Sequence, residues 1–419
     1  MNPAVTSLLV LLVVTIVMLT DKLPITTVAM VGALVCCVLG MYEFSKIFSS
    51  LGSTTIVLLF GLSIIGAAMF KSGLAKAIAT RLLRMTGGSK RGVLVAIMLT
   101  SALLSMLCSN FAVVVMMIPM VKSISKEADM SLKHTMFPLC MGAAFGGSIT
   151  LIGTTSNVAG NGVLEAVGLP LMGMFDVAWV GIPMAIVGML WMCTVGFKLL
   201  PKVEGGYDGD PNEELDVTVT KSKRKMITTA VIVVITVIAM AVSSTALFVA
   251  CLVGALLLIL TGCISEKEAY KSLDWNCAML IVSFTVIATS VSNAGGDQLI
   301  ADWFVSVVGQ NASPVMICGA LFLLCAVITN FMSNQVTVLL MAPIAVTIAN
   351  AIGVNPFTMV MVVVLAANAC FATPVGAPPF TLIMPVAGYK YKDYVRMGLP
   401  LVIINFILAT VIVPLVWAF

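Results

Sequence analysis

Two short motifs carry most of the chemistry available to this 419-residue chain. Ser109-Asn110 lies within "SMLCSNFAVVVMMIP" (105–119), and Ser333-Asn334 within "MSNQVTVLLMAP" (332–343). In both, Pro follows Asn by nine residues. A hydroxyl and an amide among apolar neighbours cost free energy unless they bind something. Two breaker-rich stretches could supply partners, "GGSITLIGTTSN" (146–157) and "TPVGAPPF" (373–380). A helix broken there presents half-helix ends, whose N–H groups attract anions and whose freed carbonyls coordinate cations. Hydroxyl, amide and backbone oxygens without carboxylates suit a monovalent cation such as Na+ better than a transition metal.

The elements that position these motifs must sit in a lipid bilayer. The chain is 60% hydrophobic and only 10% charged, whereas soluble domains carry about 25% charged residues. This composition cannot cover a water-facing surface, so the fold class expected is an all-α polytopic membrane protein. Eleven cysteines are scattered through apolar segments with no CxxC, as expected of small packing residues. His134 is the only histidine. No paired acids, His–metal cluster or activated nucleophile falls at membrane depth, so an enzyme is not expected. Neither a cofactor beyond a coupling ion nor a nucleic-acid partner is expected. The first apolar run has no basic residues ahead of it and reads as a retained span.

Spans of roughly 20 apolar residues are expected at about 4–20, 24–41, 52–70, 136–165, 171–197, 226–243, 246–262, 276–293, 357–388 and 398–417. The polar stretch 201–225 divides the chain into similar halves and reads as a cytoplasmic linker. The halves repeat: "CSNFAVVVMMIP" matches "MSNQVTVLLMAP" at offset 224, and "GTTSN" matches "GAPPF" at 223. "DVAWVGIP" matches "DYVRMGLP" at 217, and "SGLAKAIA" matches "AGGDQLIA" at 222. Reading 92–121 and 312–350 as re-entrant hairpins puts all 22 Lys and Arg except Lys46 on the cytoplasmic side, as positive-inside asymmetry requires. Both termini are then extracytoplasmic. Each half has five spans, an odd number, so the repeats are inverted, giving ten spans and two hairpins. The segment 71–91, with Lys71, Arg81 and Arg84, reads as an amphipathic surface helix. No Lys, Arg, Asp or Glu falls in the middle of an expected span, so an anion's charge must be offset by cations and helix dipoles, and proton coupling through a buried carboxylate is not expected.

At these residues the sequence resembles the divalent-anion/sodium symporter family, the INDY-type dicarboxylate, tricarboxylate and sulfate transporters. The resemblance covers nearly the whole chain. It implies one sodium site at Ser105, Ser109, Asn110 and Gly153 and a second at Thr329, Ser333, Asn334 and Gly376. Ser105 and Thr329 each precede the motif serine by four residues, one helical turn. The substrate anion would meet Asn110, Phe111, Thr154, Asn334, Gln335, Ala377 and Pro378. The family's threonine after Ser-Asn is replaced by Phe111 and Gln335, Thr155-Ser156 stands where prolines are usual, and Ala377 replaces a threonine. The family's extra N-terminal span has no counterpart. The resemblance also implies a homodimer in the plasma membrane moving by an elevator mechanism. Scaffold parts would be 1–91 and 226–311, and transport parts 92–200 and 312–419. The expected function is a secondary active carrier coupling inward Na+ movement to uptake of a small di- or trivalent anion. The alternative is a Na+-independent dicarboxylate exchanger of the same fold, or a sulfate or other oxyanion carrier.

Overall fold

A computed structural model describes residues 2–20, 22–83, 89–201, 206–209, 222–242, 244–308 and 312–417. Arg84 of the basic segment and most of the 201–225 linker lie outside the described residues. Every element among the described residues is helical.

The first ten helices are α1 (Pro3–Leu19), α2 (Ile25–Val38), α3 (Ser45–Leu51), α4 (Thr54–Lys71), α5 (Leu74–Leu83), α6 (Lys90–Ser105), α7 (Asn110–Glu127), α8 (Leu132–Gly147), α9 (Thr155–Ala166) and α10 (Ala178–Trp191). The last continues through a π turn, Met192–Gly196, to Leu199. The second set is α11 (Lys223–Val242), α12 (Ser244–Leu260), α13 (Glu266–Lys271), α14 (Trp275–Asn293), α15 (Gly296–Val308), α16 (Pro314–Thr329), α17 (Asn334–Ile352), α18 (Pro356–Ala367), α19 (Pro378–Ala387) and α20 (Tyr391–Val416). Among the described residues, six helices are long and apolar enough to cross a membrane by themselves: α4, the α10 run to Leu199, α11, α14, α17 and α20. The expected long spans 136–165 and 357–388 are each two shorter helices with a break between, which length alone does not count.

The two sets stop and start alike. Ser89 and Ser313 cap α6 and α16, Ser109 and Ser333 cap α7 and α17, and Ser131 and Asn355 cap α8 and α18. Each cap side chain accepts a backbone N–H of the first turn, satisfying a donor the helix leaves orphaned. The described residues with φ between +47° and +78° also fall into pairs: Gly40 with Gly262, Gly73 with Gly295, Asp129 with Gly353, and Gly168 with Gly388. Their offsets of 222, 222, 224 and 220 track the sequence matches. Left-handed backbone disfavours a Cβ, so glycine ends these helices at seven of the eight positions.

Packing crosses between the sets. α2 lies on α14 and α4 on α12, while α9 packs on α17 and α7 on α19. Helices α8 and α18 are sheathed by protein, with nearly all of α8 and ten of the twelve residues of α18 buried. Pro138 interrupts α8, and the Tyr389 hydroxyl enters the opened ladder. It accepts from Phe137 N (3.0 Å) and donates to Lys133 O (2.7 Å). The Glu165 carboxylate at the end of α9 accepts from the backbone N–H groups (2.8 and 3.0 Å) and hydroxyls (both 2.6 Å) of Thr54 and Thr55 at the start of α4.

The breaks are held from outside by glycine contacts that also pair. A Cβ on Gly181 would fall inside the van der Waals shell of the Ser148 carbonyl oxygen, and one on Gly398 inside that of Phe371. Gly66 of α4 has open space around the same position. Gly181→Ala and Gly398→Ala should each cost about 1–3 kcal/mol through overpacking, whereas Gly66→Ala should be neutral or stabilise by up to about 1 kcal/mol through helix propensity. Thermal unfolding of the three purified variants checks this; equal melting temperatures would remove the close approach at the breaks.

Candidate functional site

Two turns and two breaks converge. The first turn, 106–109, joins α6 to α7, and the second, 330–333, joins α16 to α17. The breaks are 148–154 between α8 and α9, and 368–377 between α18 and α19. Backbone freed from helical pairing at membrane depth is tolerated only where protein or a cavity satisfies it.

In the first cluster Ser105, Asn110 and Gly153 are brought together. The Ser105 hydroxyl meets the Asn110 amide. With its nitrogen at that end, Asn110 donates to the carbonyls of Gly153 (2.9 Å) and Ala143 (3.1 Å). With its oxygen there, four oxygens crowd one point: the amide, two carbonyls and the Ser105 hydroxyl. Turning the amide nitrogen inward satisfies these oxygens without an ion, and with the oxygen inward the same donor set fits a hard monovalent cation. Close approach depends on two glycines. A Cβ on Gly147 would strike the Asn110 amide, and one on Gly153 would lie 2.6 Å from the Ser105 carbonyl oxygen. The Ser109 hydroxyl instead caps α7, accepting from Ala112 N (3.5 Å), and is exposed.

The second cluster brings Thr329, Asn334 and Gly376 together. The Thr329 hydroxyl donates to Ala367 O (2.8 Å), and Asn334 N donates to Gly376 O (3.2 Å). A Cβ on Gly376 would lie 2.8 Å from the Thr329 carbonyl oxygen. Ser333, like Ser109, caps its helix, accepting from Val336 N (3.4 Å). The clusters are not identical, since Asn334 Oδ1 accepts from Gln335 N (3.0 Å) rather than facing Thr329. Asn330 braces this side: its amide donates to Ala326 O (2.7 Å), accepts from Ala372 N (3.1 Å), and its carbonyl accepts from the Thr373 hydroxyl.

The sequence reading missed Ala143 and Ala367, which contribute backbone carbonyls at offset 224. Nothing in an alanine side chain announces this; only the repeat offset, applied to Ala143 once its role is known, points to Ala367. Also missed was Asn368, which lies in the second break.

The residues expected to meet an anion are divided. Asn110, Asn334 and Ala377 line one gap with Ser148, Asn368 and Phe380, but its volume is about 10 Å³, room for about one water. A di- or tricarboxylate does not fit between Asn110 and Asn334 in this conformation, because Cys140, Pro379 and Phe380 fill the space. Thr154 is buried and bonded to Ser156 (3.0 Å). The Gln335 amide points away, donating to Cys277 Sγ at 2.9 Å on α14. Phe111 is 47% exposed and Pro378 is exposed. A larger cavity of about 360 Å³ reaches Ser109 and Thr155, between α4, the first turn and the first break. A second, also about 360 Å³, lies between α9, α14 and α17. Asp274 is the charged liner of the former and Asp297 of the latter, and among the described residues no Lys or Arg lines either, while Lys46 lines an adjoining opening that shares Ala166, Thr285, Thr289 and Asn293 with the second. The starts of α7 and α9 face the former cavity and bring partial positive charge to it.

YfbS of Escherichia coli, an uncharacterized transporter, is 36% identical over 171 residues, 41% of this chain, but the chain spans only 28% of that relative's length. The sodium-dependent high-affinity dicarboxylate transporter 3 of Caenorhabditis elegans is 24% identical over 92% of this chain and 78% of its own length. The solved structure of Neisseria gonorrhoeae MtrF, described as illuminating a class of antimetabolite efflux pumps, superposes with a TM-score of 0.64 at 17% identity, covering 88% of this chain and 82% of its own. At that identity the likeness is one of fold. The profile of the citrate transporter family, CitMHS, matches residues 10–283 and 246–419; with oxygen clusters at both Ser-Asn motifs and that match across almost the whole sequence, the chain belongs to the citrate transporter family and to the divalent-anion/sodium symporter kind its motifs resemble.

Proposed function

We propose that the protein is a secondary active transporter that couples inward Na+ movement to uptake of a small di- or trivalent anion, a di- or tricarboxylate. The observation that carries this reading is the pair of oxygen clusters, the first of them beside a cavity that, among the described residues, no basic residue lines. An anion entering such a site needs positive charge from elsewhere. Cations held by Ser105, Asn110, Ala143 and Gly153, and by Thr329, Asn334, Ala367 and Gly376, supply it at short range, and the N-termini of α7, α9 and α17 add their dipoles. Pro378 and Pro379 open α19 without N–H groups, so that helix offers fewer donors than α9. The anion is therefore gripped chiefly from the first half, at the turn facing the cavity lined by Ser109 and Thr155.

The paired helix ends and caps support two repeats; five spans and one hairpin in each would invert the second, and the placement of Lys and Arg then puts both termini on the extracytoplasmic side. The hairpins and broken spans form the moving part of an elevator carried in a plasma-membrane homodimer, and α4 and α14 belong to the scaffold. Three polar ties among the described residues then join moving to fixed parts, Glu165 to Thr54 and Thr55, Gln335 to Cys277, and Thr347 to Asp297 (3.3 Å). All three must break and reform in each cycle.

Thermal stability of the purified protein should rise in Na+ relative to K+ or choline. One of succinate, citrate, malate or sulfate should raise it further only when Na+ is present. A ligand at 100 times its Kd stabilises by about 2.7 kcal/mol, well within reach of the assay. Equal stabilisation by an anion without Na+ would replace the symporter with the exchanger.

Asn110→Ala and Asn334→Ala should each abolish Na+-driven uptake in proteoliposomes and remove the Na+-specific part of the stabilisation, while the protein still purifies as a folded species. Normal transport by both would sink the two-cluster reading.

A further inference from the structure

The two clusters are joined by one buried hydrogen-bond chain that passes between the halves. Asn157 Nδ2 donates to the carbonyls of Thr150 (2.8 Å) and Gly147 (3.2 Å), spanning the first break. Asn157 Oδ1 accepts from Asn368 Nδ2 (2.9 Å), in the second break. Asn368 Oδ1 accepts from the Ser156 hydroxyl (2.6 Å). Ser156 has spent its proton there, so it is Thr154 that donates to Ser156 (3.0 Å). Asn157 and Ser156 are 0% exposed, Asn368 5% and Thr154 6%.

Each end of the chain touches a cluster. Gly147, whose carbonyl Asn157 holds, lies beside the Asn110 amide, where a Cβ would strike it. Asn368 directly follows Ala367, whose carbonyl takes the Thr329 hydroxyl, and it lines the narrow gap with Asn110 and Asn334. The link is not a product of duplication. At offset 223 the counterpart of Asn157 is Phe380, which packs among Phe137 and Tyr394. The connection therefore exists once, where the two breaks meet.

We infer that Asn157 and Asn368 are positioning residues that couple the two cation clusters, so that filling one raises the affinity of the other. Each polar atom of the chain is buried and already paired, and breaking any one bond strands a partner at a large desolvation cost. A shift of the Gly147 carbonyl as the first cluster closes on a cation is thus followed by Asn157, Asn368 and the Ala367–Asn368 backbone. Coupling of this kind is reciprocal, and a factor of 5- to 150-fold between sites is typical. The inference rests on the clusters being Na+ sites.

The test is a Na+ titration of the purified protein without anion, at constant ionic strength in choline, following intrinsic fluorescence. Wild type should bind with a Hill coefficient approaching 2. Asn157→Ala and Asn368→Ala should each lower it to about 1, with one apparent affinity weakened 5- to 150-fold, and the double variant should add nothing further. A packing role alone would lower the melting temperature and leave the Hill coefficient where it was. Unchanged cooperativity in the single variants, or a wild-type coefficient of 1, overturns the coupling while leaving the sites in place. No Na+ response in wild type overturns the site reading itself. Should neither alanine variant fold, Ser156→Ala, which removes only the hydroxyl that fixes the Asn368 amide, decides in the same way by its Hill coefficient.

Discussion

Backbone released from helical pairing must be satisfied without water, and the rest of this structure answers that constraint. Four segments carry such backbone: the turns 106–109 and 330–333, and the breaks 148–154 and 368–377. An unpaired peptide group at that depth costs several kcal/mol. Serine caps offset part of it, the Asn157 amide holds the Thr150 carbonyl of the first break and the Asn330 amide the Ala369 carbonyl of the second, and α8 and α18 are sheathed so that little of them meets lipid. What remains is a set of carbonyl, amide and hydroxyl oxygens gathered at two places, the chemistry on which the proposed cation sites rest.

Close packing follows from the same requirement. Carbonyls can converge only if the chains carrying them approach, and side chains would hold them apart. Gly153 and Gly376 lie where backbone meets backbone, Gly147 makes room for the Asn110 amide, and Gly181 and Gly398 let α10 and α20 press on the outer sides of the breaks. Glycine here is chosen for its missing Cβ rather than for its flexibility. At Gly40, Gly73, Gly168, Gly262, Gly295, Gly353 and Gly388 the reason differs, since φ there is positive.

The two halves are alike in their caps, helix ends and oxygen clusters but unlike in what the clusters touch. The first has Ser105 against Asn110; the second has Thr329 turned to a carbonyl and Asn334 folded onto its own following N–H. The first break opens α9 with Thr155 and Ser156, whereas the second opens α19 with two prolines. Halves that keep a shared backbone plan while their side chains diverge place similar oxygens at both clusters and leave more backbone donors at the first break than at the second.

Much was legible in the residues themselves. Composition required a membrane, because 10% charged residues cannot solvate a surface this size. Ser-Asn pairs and breakers recurring at nearly constant offset marked the turns and breaks, because polar and helix-breaking side chains in an apolar stretch have few places to go. Tertiary structure alone decided the rest. Ala143 and Ala367 matter through their carbonyls, and every residue has a carbonyl, so no side chain could signal them. Asn157 meets Asn368 across 211 residues of chain, and the partner of a buried amide depends on which breaks are packed together. Gln335 reads as a substrate contact beside Asn334, yet its amide lies on Cys277, because α14 is nearer to it than the gap. Side-chain type tells what a site can bind; only the packing of distant segments tells which oxygens point at one place.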